Sequence, residues 1–120
     1  MNWKTCLASF AFAASLFGAA PSAHAIWFHC VPENVVEVVG SRVHVYCSNS
    51  IAVGSPSQTI RFIAISTSNS AVANRFMSTA NAAFMSGKRF LADIPSSSAT
   101  NVSGCSAADC RTPAQFGLEN

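Results

Sequence analysis

The stretch Val35–Cys47, VVEVVGSRVHVYC, decides the fold. Val35 to Val39 is β-branched and apolar around Glu37, and Gly40-Ser41 then interrupts it. Arg42 to Cys47 alternates: Arg42, His44 and Tyr46 fall on one face, Val43, Val45 and Cys47 on the other. Successive side chains of a strand point to opposite faces, so one face is built for the core and one for the outside. Two such runs about a glycine-containing two-residue turn predict a β-hairpin.

Working outward, Asn49 to Gln58 reads as a loop, with Gly54 and Pro56 inside it. Thr59 to Ser66 (TIRFIAIS) is apolar on both faces apart from Arg61, which predicts a third, central strand. Ser68 or Asn69 can cap a helix by accepting from an early backbone N–H. Val72, Phe76, Ala80, Ala83 and Phe84 recur at helical spacing as one apolar stripe, with Met77 and Met85 widening it sideways. Gly87 suits the left-handed position after a helix. Arg89 to Ile94 predicts a fourth strand, ended by Pro95, and Ser96 to Gly104 is a polar loop. Arg111 to Leu118 holds the last strand, with Pro113 near its start. The order is three strands, a helix and two strands: a mainly β domain with one helix, in the sequence of elements of a five-stranded OB-fold-like barrel. No repeat interrupts residues 26–120, which read as a single domain.

The chain before that domain has another character. Lys4 precedes an uncharged run from Cys6 to Ala20, Pro21-Ser22 breaks it, and Ala23-His24-Ala25 has the A-x-A form of a cleavage site. The run is shorter than the roughly 20 residues of a membrane span. Residues 1–25 are therefore expected to be a secretory signal peptide, leaving Ile26 as the mature N-terminus, no membrane span, and a secreted or periplasmic protein. The remaining domain carries Arg42, Arg61, Arg75, Lys88, Arg89 and Arg111 against Glu33, Glu37, Asp93, Asp109 and Glu119, a net charge of +1. That balance gives no electrostatic case for nucleic acid. The surface it leaves, mostly Ser, Asn, Thr and Ala, is of a kind often covered by other subunits.

Loss of the leader removes Cys6 and leaves Cys30, Cys47, Cys105 and Cys110. An even count in a small exported domain predicts two disulfides. Three connectivities are open; Cys30–Cys47 and Cys105–Cys110 are favoured because both close local loops.

Catalytic patterns are weak. There is no G-x-S-x-G elbow, and neither His29 nor His44 stands in a recognised pattern with a serine and an acid. His29-Cys30 and His44-x-x-Cys47 offer four zinc-type ligands, but at no standard spacing, and pairing of the two cysteines would consume half of them. Glu33 and Glu37 would converge only on a helix, whereas their run reads as strand. Asn101-Val-Ser103 matches a glycosylation sequon, a chance match beside a leader of bacterial type. No catalytic, metal or cofactor site is assigned. Recognition remains, and the outward face of Arg42, His44 and Tyr46 is its candidate surface: an aromatic ring can stack on a sugar or peptide while polar groups orient it.

Ile60–Ser68 (IRFIAISTS), Ala73–Lys88 (ANRFMSTANAAFMSGK) and Ser103–Arg111 (SGCSAADCR) resemble small exported bacterial proteins related to the B subunit of subtilase-type AB5 cytotoxins. That family has a strand, a main helix ending in a small-Gly-basic turn (here Ser86-Gly87-Lys88), a further strand and a Cys-x₄-Cys hairpin (here Cys105–Cys110). The resemblance covers roughly residues 59–111. It implies OB-folds in a pentameric homo-oligomer that binds host glycans, carries a separate catalytic A subunit and is not itself an enzyme. No glycan-contact residue carries over, because the first part of the chain matches no binding motif of the family. The alternative is a free-standing periplasmic protein that binds or inhibits another protein.

Overall fold

The computed structural model describes residues 26–120. The expected leader, residues 1–25, lies outside the described residues.

The hairpin forms between β2 (Pro32–Val38) and β3 (Arg42–Val53). Val38 pairs with Arg42, so its loop is three residues, not two. Gly40 takes φ 73° there, and Ser41 N donates to Val38 O at 2.9 Å. Val43, Val45 and Cys47 are fully buried while Arg42, His44 and Tyr46 are part-exposed, as the alternation requires. β3 then runs on through the expected loop, pairing Ile51, Ala52 and Val53 with Ile60, Thr59 and Gln58 of β4 (Gln58–Ser66). The register shifts between Tyr46 and Ile51. The polar residues that read as loop are used here: Asn49 Oδ1 accepts from Val31 N and Asn49 Nδ2 donates to His29 O, both at 2.8 Å.

Those bonds hold the bend at Val31 between β2 and an additional strand, β1 (Ile26–Cys30). β1 alternates, burying Phe28 and Cys30 and exposing Trp27 and His29. α1 (Ser70–Ser86) follows β4, capped by Asn69, whose side chain accepts from Val72 N at 3.2 Å. Gly87 is left-handed, at φ 69°. Ala73, Phe76, Ala80 and Ala83 face the core, at steps of three and four. The apolar stripe is therefore turned by one residue from the expected one: Ala73 replaces Val72, and Phe84 is 49% exposed.

β5 (Phe90–Ile94) lies where a fourth strand was expected. The expected last strand is broken by Thr112–Ala114 into β6 (Cys110–Arg111) and β7 (Gln115–Leu118). Among the described residues seven strands thus stand where five were expected, from the added β1 and this break. They form two sheets, β1-β5-β7 and β2-β3-β4-β6, antiparallel except for the parallel pair β4–β6. Phe76 of the helix meets Phe90 and Phe116 edge-on, each with ring centroids 5.1 Å apart, locking α1 to the smaller sheet. The domain is mainly β with one helix and two disulfides, Cys30–Cys47 and Cys105–Cys110. No helix among the described residues is long and apolar enough to cross a membrane.

Candidate functional site

The outer face of β3 and β4 is assembled by cross-strand register. Arg42 lies opposite Ser66, His44 opposite Ala64 and Tyr46 opposite Phe62. Such pairs share a face, so Phe62 becomes the centre of an aromatic group. The His44 ring meets it edge-on at 5.7 Å, and the Tyr46 ring leans on it at 4.9 Å. Arg61 Nη1 reaches Tyr46 Oη at 3.4 Å, a long hydrogen bond.

One end of this face is roofed by the loop that precedes β6. Cys105 and Cys110 pack with Ala64, Phe62 and Val102 as a small apolar cluster separate from the main core. Asp109 O accepts from two consecutive donors, Arg61 N at 2.9 Å and Phe62 N at 3.0 Å. Two residues of one strand facing one of another is the pattern of a bulge. Asn101 ties the base of the loop. Its Nδ2 donates to Cys105 O and Cys110 O, and its Oδ1 accepts from Thr112 N. The Asn101 amide is thus spent inside the fold, which leaves the sequon unusable without breaking those bonds.

Arg111 closes the arrangement from behind. It is wholly buried, and Nη1 donates to Ala107 O and Cys110 O, each at 2.7 Å. Nη2 donates to Gln58 Oε1 and Ser96 O. Burial lowers its pKa from the usual guanidinium value, and among the described residues it has no carboxylate partner.

Between strand face and loop is a cleft of about 420 Å³, lined by Arg42, His44, Phe62, Ser106, Asp109 and Cys110 among others. The Arg42 guanidinium lies over Gly104: a Cβ at that glycine would fall 2.7 Å from Arg42 Cζ. Gly104 also has φ 83°, a conformation that suits glycine. Among the described residues neither the Arg42 guanidinium nor the Asp109 carboxylate makes a hydrogen bond or ion pair. Burial and, secondarily, the adjacent Arg42 charge push the His44 pKa below 6.5. The imidazole is therefore neutral at neutral pH, able to donate from one nitrogen and accept at the other.

Of the expected ligand face, Arg42 and His44 enter the cleft, and Tyr46 stands beside it on Phe62. The zinc-type residues do not converge. Cys30 and Cys47 are bonded to each other, His29 lies on the other sheet with Nδ1 3.3 Å from Glu119 Oε1, and among the described residues no group of three metal-type ligands assembles. Glu33 and Glu37 are exposed on β2. Sequence reasoning missed Phe62, Gly104 and Asp109. Phe62 was hidden by a strand that read as apolar on both faces apart from Arg61, and the loop residues had only the Cys-x₄-Cys spacing to mark them.

No family model matches the chain, and neither the search of curated proteins nor the search of solved structures finds a match.

Proposed function

We propose that this chain is an exported, non-catalytic binding module of OB-like architecture, taking a polar ligand, glycans first, in the cleft between Arg42, His44 and Phe62 and the Gly104–Cys110 loop. The location of the cleft carries the reading. β1 and β2 are separated by Val31 alone, and β6 and β7 by Thr112–Ala114. Taken as two bent strands, each belongs to both sheets, and the pairing order β1β2, β3, β4, β6β7, β5 returns to its start through the β1–β5 pair. That order supports the OB-like reading, in which the helix falls between the third and fourth strands. OB-folds bind oligosaccharides and oligonucleotides on the face of their second and third strands, beside the loop joining the fourth and fifth. Here those strands are β3 and β4, and that loop carries Gly104, Ser106 and Asp109, which line the cleft. The near-neutral charge of the domain favours sugar over nucleic acid.

Two disulfides support export to an oxidising compartment, secreted or periplasmic. The resemblance to AB5 B subunits adds a pentameric ring and a separate catalytic partner. Native mass of the oxidised protein and a broad glycan panel test the proposal together. A mass of about five chains with glycan binding that Phe62→Ala removes would support it. A strict monomer that binds no glycan would overturn it. The second reading, a free-standing module that binds another protein, draws on exposed Trp27, Phe84 and Met85. It predicts a monomer that recovers one specific protein from periplasmic extract.

A further inference from the structure

We infer that the ligand of the β3–β4 cleft is a small zwitterion, with a carboxylate that engages Arg42 and a protonated amine that engages Asp109. The inference rests on the proposed binding site and adds to it the charge of what is bound. Arg42 and Asp109 line one cleft of about 420 Å³ and bear opposite charges, yet the two side chains do not pair with each other or, among the described residues, with any other group. At one other place in this domain opposite charges line a common cleft and do meet. Glu119 draws in both His29 and Arg89, at 3.3 and 3.2 Å, and these three line another cleft that is already neutralised from within. A larger groove, about 630 Å³ beside α1 and β7, has Arg75 as its one charged lining residue among the described residues.

A guanidinium presents a planar fork of donors that fits a carboxylate. That of Arg42 rests over Gly104, where no side chain intervenes. An anion alone would satisfy Arg42 while facing Asp109, and a cation alone would meet the reverse. Only a ligand bearing both charges relieves both groups. His44 does not disturb this balance: beside Arg42 it is neutral at neutral pH and supplies hydrogen bonds. The apolar lining of the cleft comes from Phe62, Ala64 and the Cys110 end of the disulfide. It suits an aliphatic side chain or the apolar face of a sugar ring. A free amino acid and an amino-sugar acid share this chemistry.

The test is calorimetric titration of the oxidised protein, expressed from the full chain, with two matched series. One is leucine, leucine methyl ester and N-acetyl-leucine; the other is muramic acid, glucosamine and N-acetylmuramic acid. The zwitterion of at least one series should bind about tenfold or more tightly than both of its singly charged analogues, since one charge-assisted contact is worth about that factor. The favoured series identifies the source. Arg42→Gln should reduce zwitterion affinity to that of the analogue lacking the carboxylate charge, and Asp109→Asn to that of the analogue lacking the ammonium. The comparison within each series is made on the unaltered protein, so the test survives a variant that folds poorly. Absence of the zwitterion preference in both series, whether by equal affinities or by no binding, overturns the inference. If a neutral glycan then binds and Phe62→Ala abolishes it while Arg42→Gln and Asp109→Asn do not, the cleft stands and the zwitterion falls. If no glycan and no probe binds at the cleft, both fall.

Discussion

Asn101 supplies the base of the loop with bonds that no other side chain there can replace. Alanine at this position would remove both donors and the acceptor and strand Cys105 O and Thr112 N in part-buried surroundings, while Cys110 O would keep only its bond from Arg111 Nη1. An unsatisfied buried group costs about 1–3 kcal/mol, so Asn101→Ala should lower stability by about 2–3 kcal/mol, read as a lower urea midpoint at unchanged slope. Asn101→Asp keeps only the acceptor and should fall between the two. An unchanged midpoint for Asn101→Ala would show that water replaces the lost partners. His44 yields a prediction in pH. Burial and Arg42 hold its folded pKa below the unfolded value near 6.5, so the unfolded chain takes up the proton first. Stability is therefore full above about pH 6.5 and falls as pH drops from there through the lower folded pKa. The contribution of His44 is thus the difference between the native protein and His44→Gln in urea midpoints between about pH 7.5 and pH 5. The native protein should lose more stability over that interval than the variant; parallel curves would refute the assignment.

Elements were legible where their pattern was long or punctuated. The hairpin face of Val43, Val45 and Cys47, the central strand β4 and the helix between Asn69 and Gly87 all carry periodicity and end signals. β1 was not read because IWFHC gives only five alternating residues beside an expected cleavage site. The second half of β3 was hidden because Ser48, Asn49 and Ser50 are loop-type residues by composition. Two of them bond to Val31 across a bend that sequence spacing does not reveal. The break in the last strand follows from Pro113, whose missing N–H cannot extend a ladder. The cleft was half legible: its strand side follows from alternation, but its loop side depends on a register that joins residues about 40 positions apart, Ala64 to Cys105. The helix offers the sharpest test at this scale. Phe76 is fully buried and contacts two further aromatic rings, those of Phe90 and Phe116. Phe76→Ala should cost about 3–5 kcal/mol, whereas Phe84→Ala, at a half-exposed position of the expected stripe, should cost well under half of that. Equal losses in thermal or urea unfolding would mean that α1 turns Phe84 as well as Phe76 into the core.

At the scale of the whole molecule, the two disulfides belong to two different apolar bodies. Cys30–Cys47 is sealed in the main core, with both residues 0% exposed, and ties the end of β1 to the centre of β3. Cys105–Cys110 sits in the small cluster over Ala64, with its cysteines 8% and 4% exposed, and forms one wall of the cleft. Thiol–disulfide exchange requires access of the attacking thiolate to a sulfur, so burial separates the two bonds kinetically. Closing loops of 17 and 5 residues is worth about 3 and about 2 kcal/mol through restriction of the unfolded chain. Dithiothreitol added under native conditions should therefore open Cys105–Cys110 first. Alkylation and peptide mapping should find that pair labelled while Cys30 and Cys47 remain protected until the protein unfolds globally. At that intermediate stage the thermal midpoint should fall modestly and ligand binding at the cleft should weaken more, because the bond lost holds a binding wall rather than the main core. The paired variant Cys105→Ser with Cys110→Ser should reproduce this state, and Cys30→Ser with Cys47→Ser should instead lose most of its stability. Simultaneous labelling of all four cysteines would mean that the loop and the main core open as one cooperative unit, and the cleft wall could then not loosen without the fold.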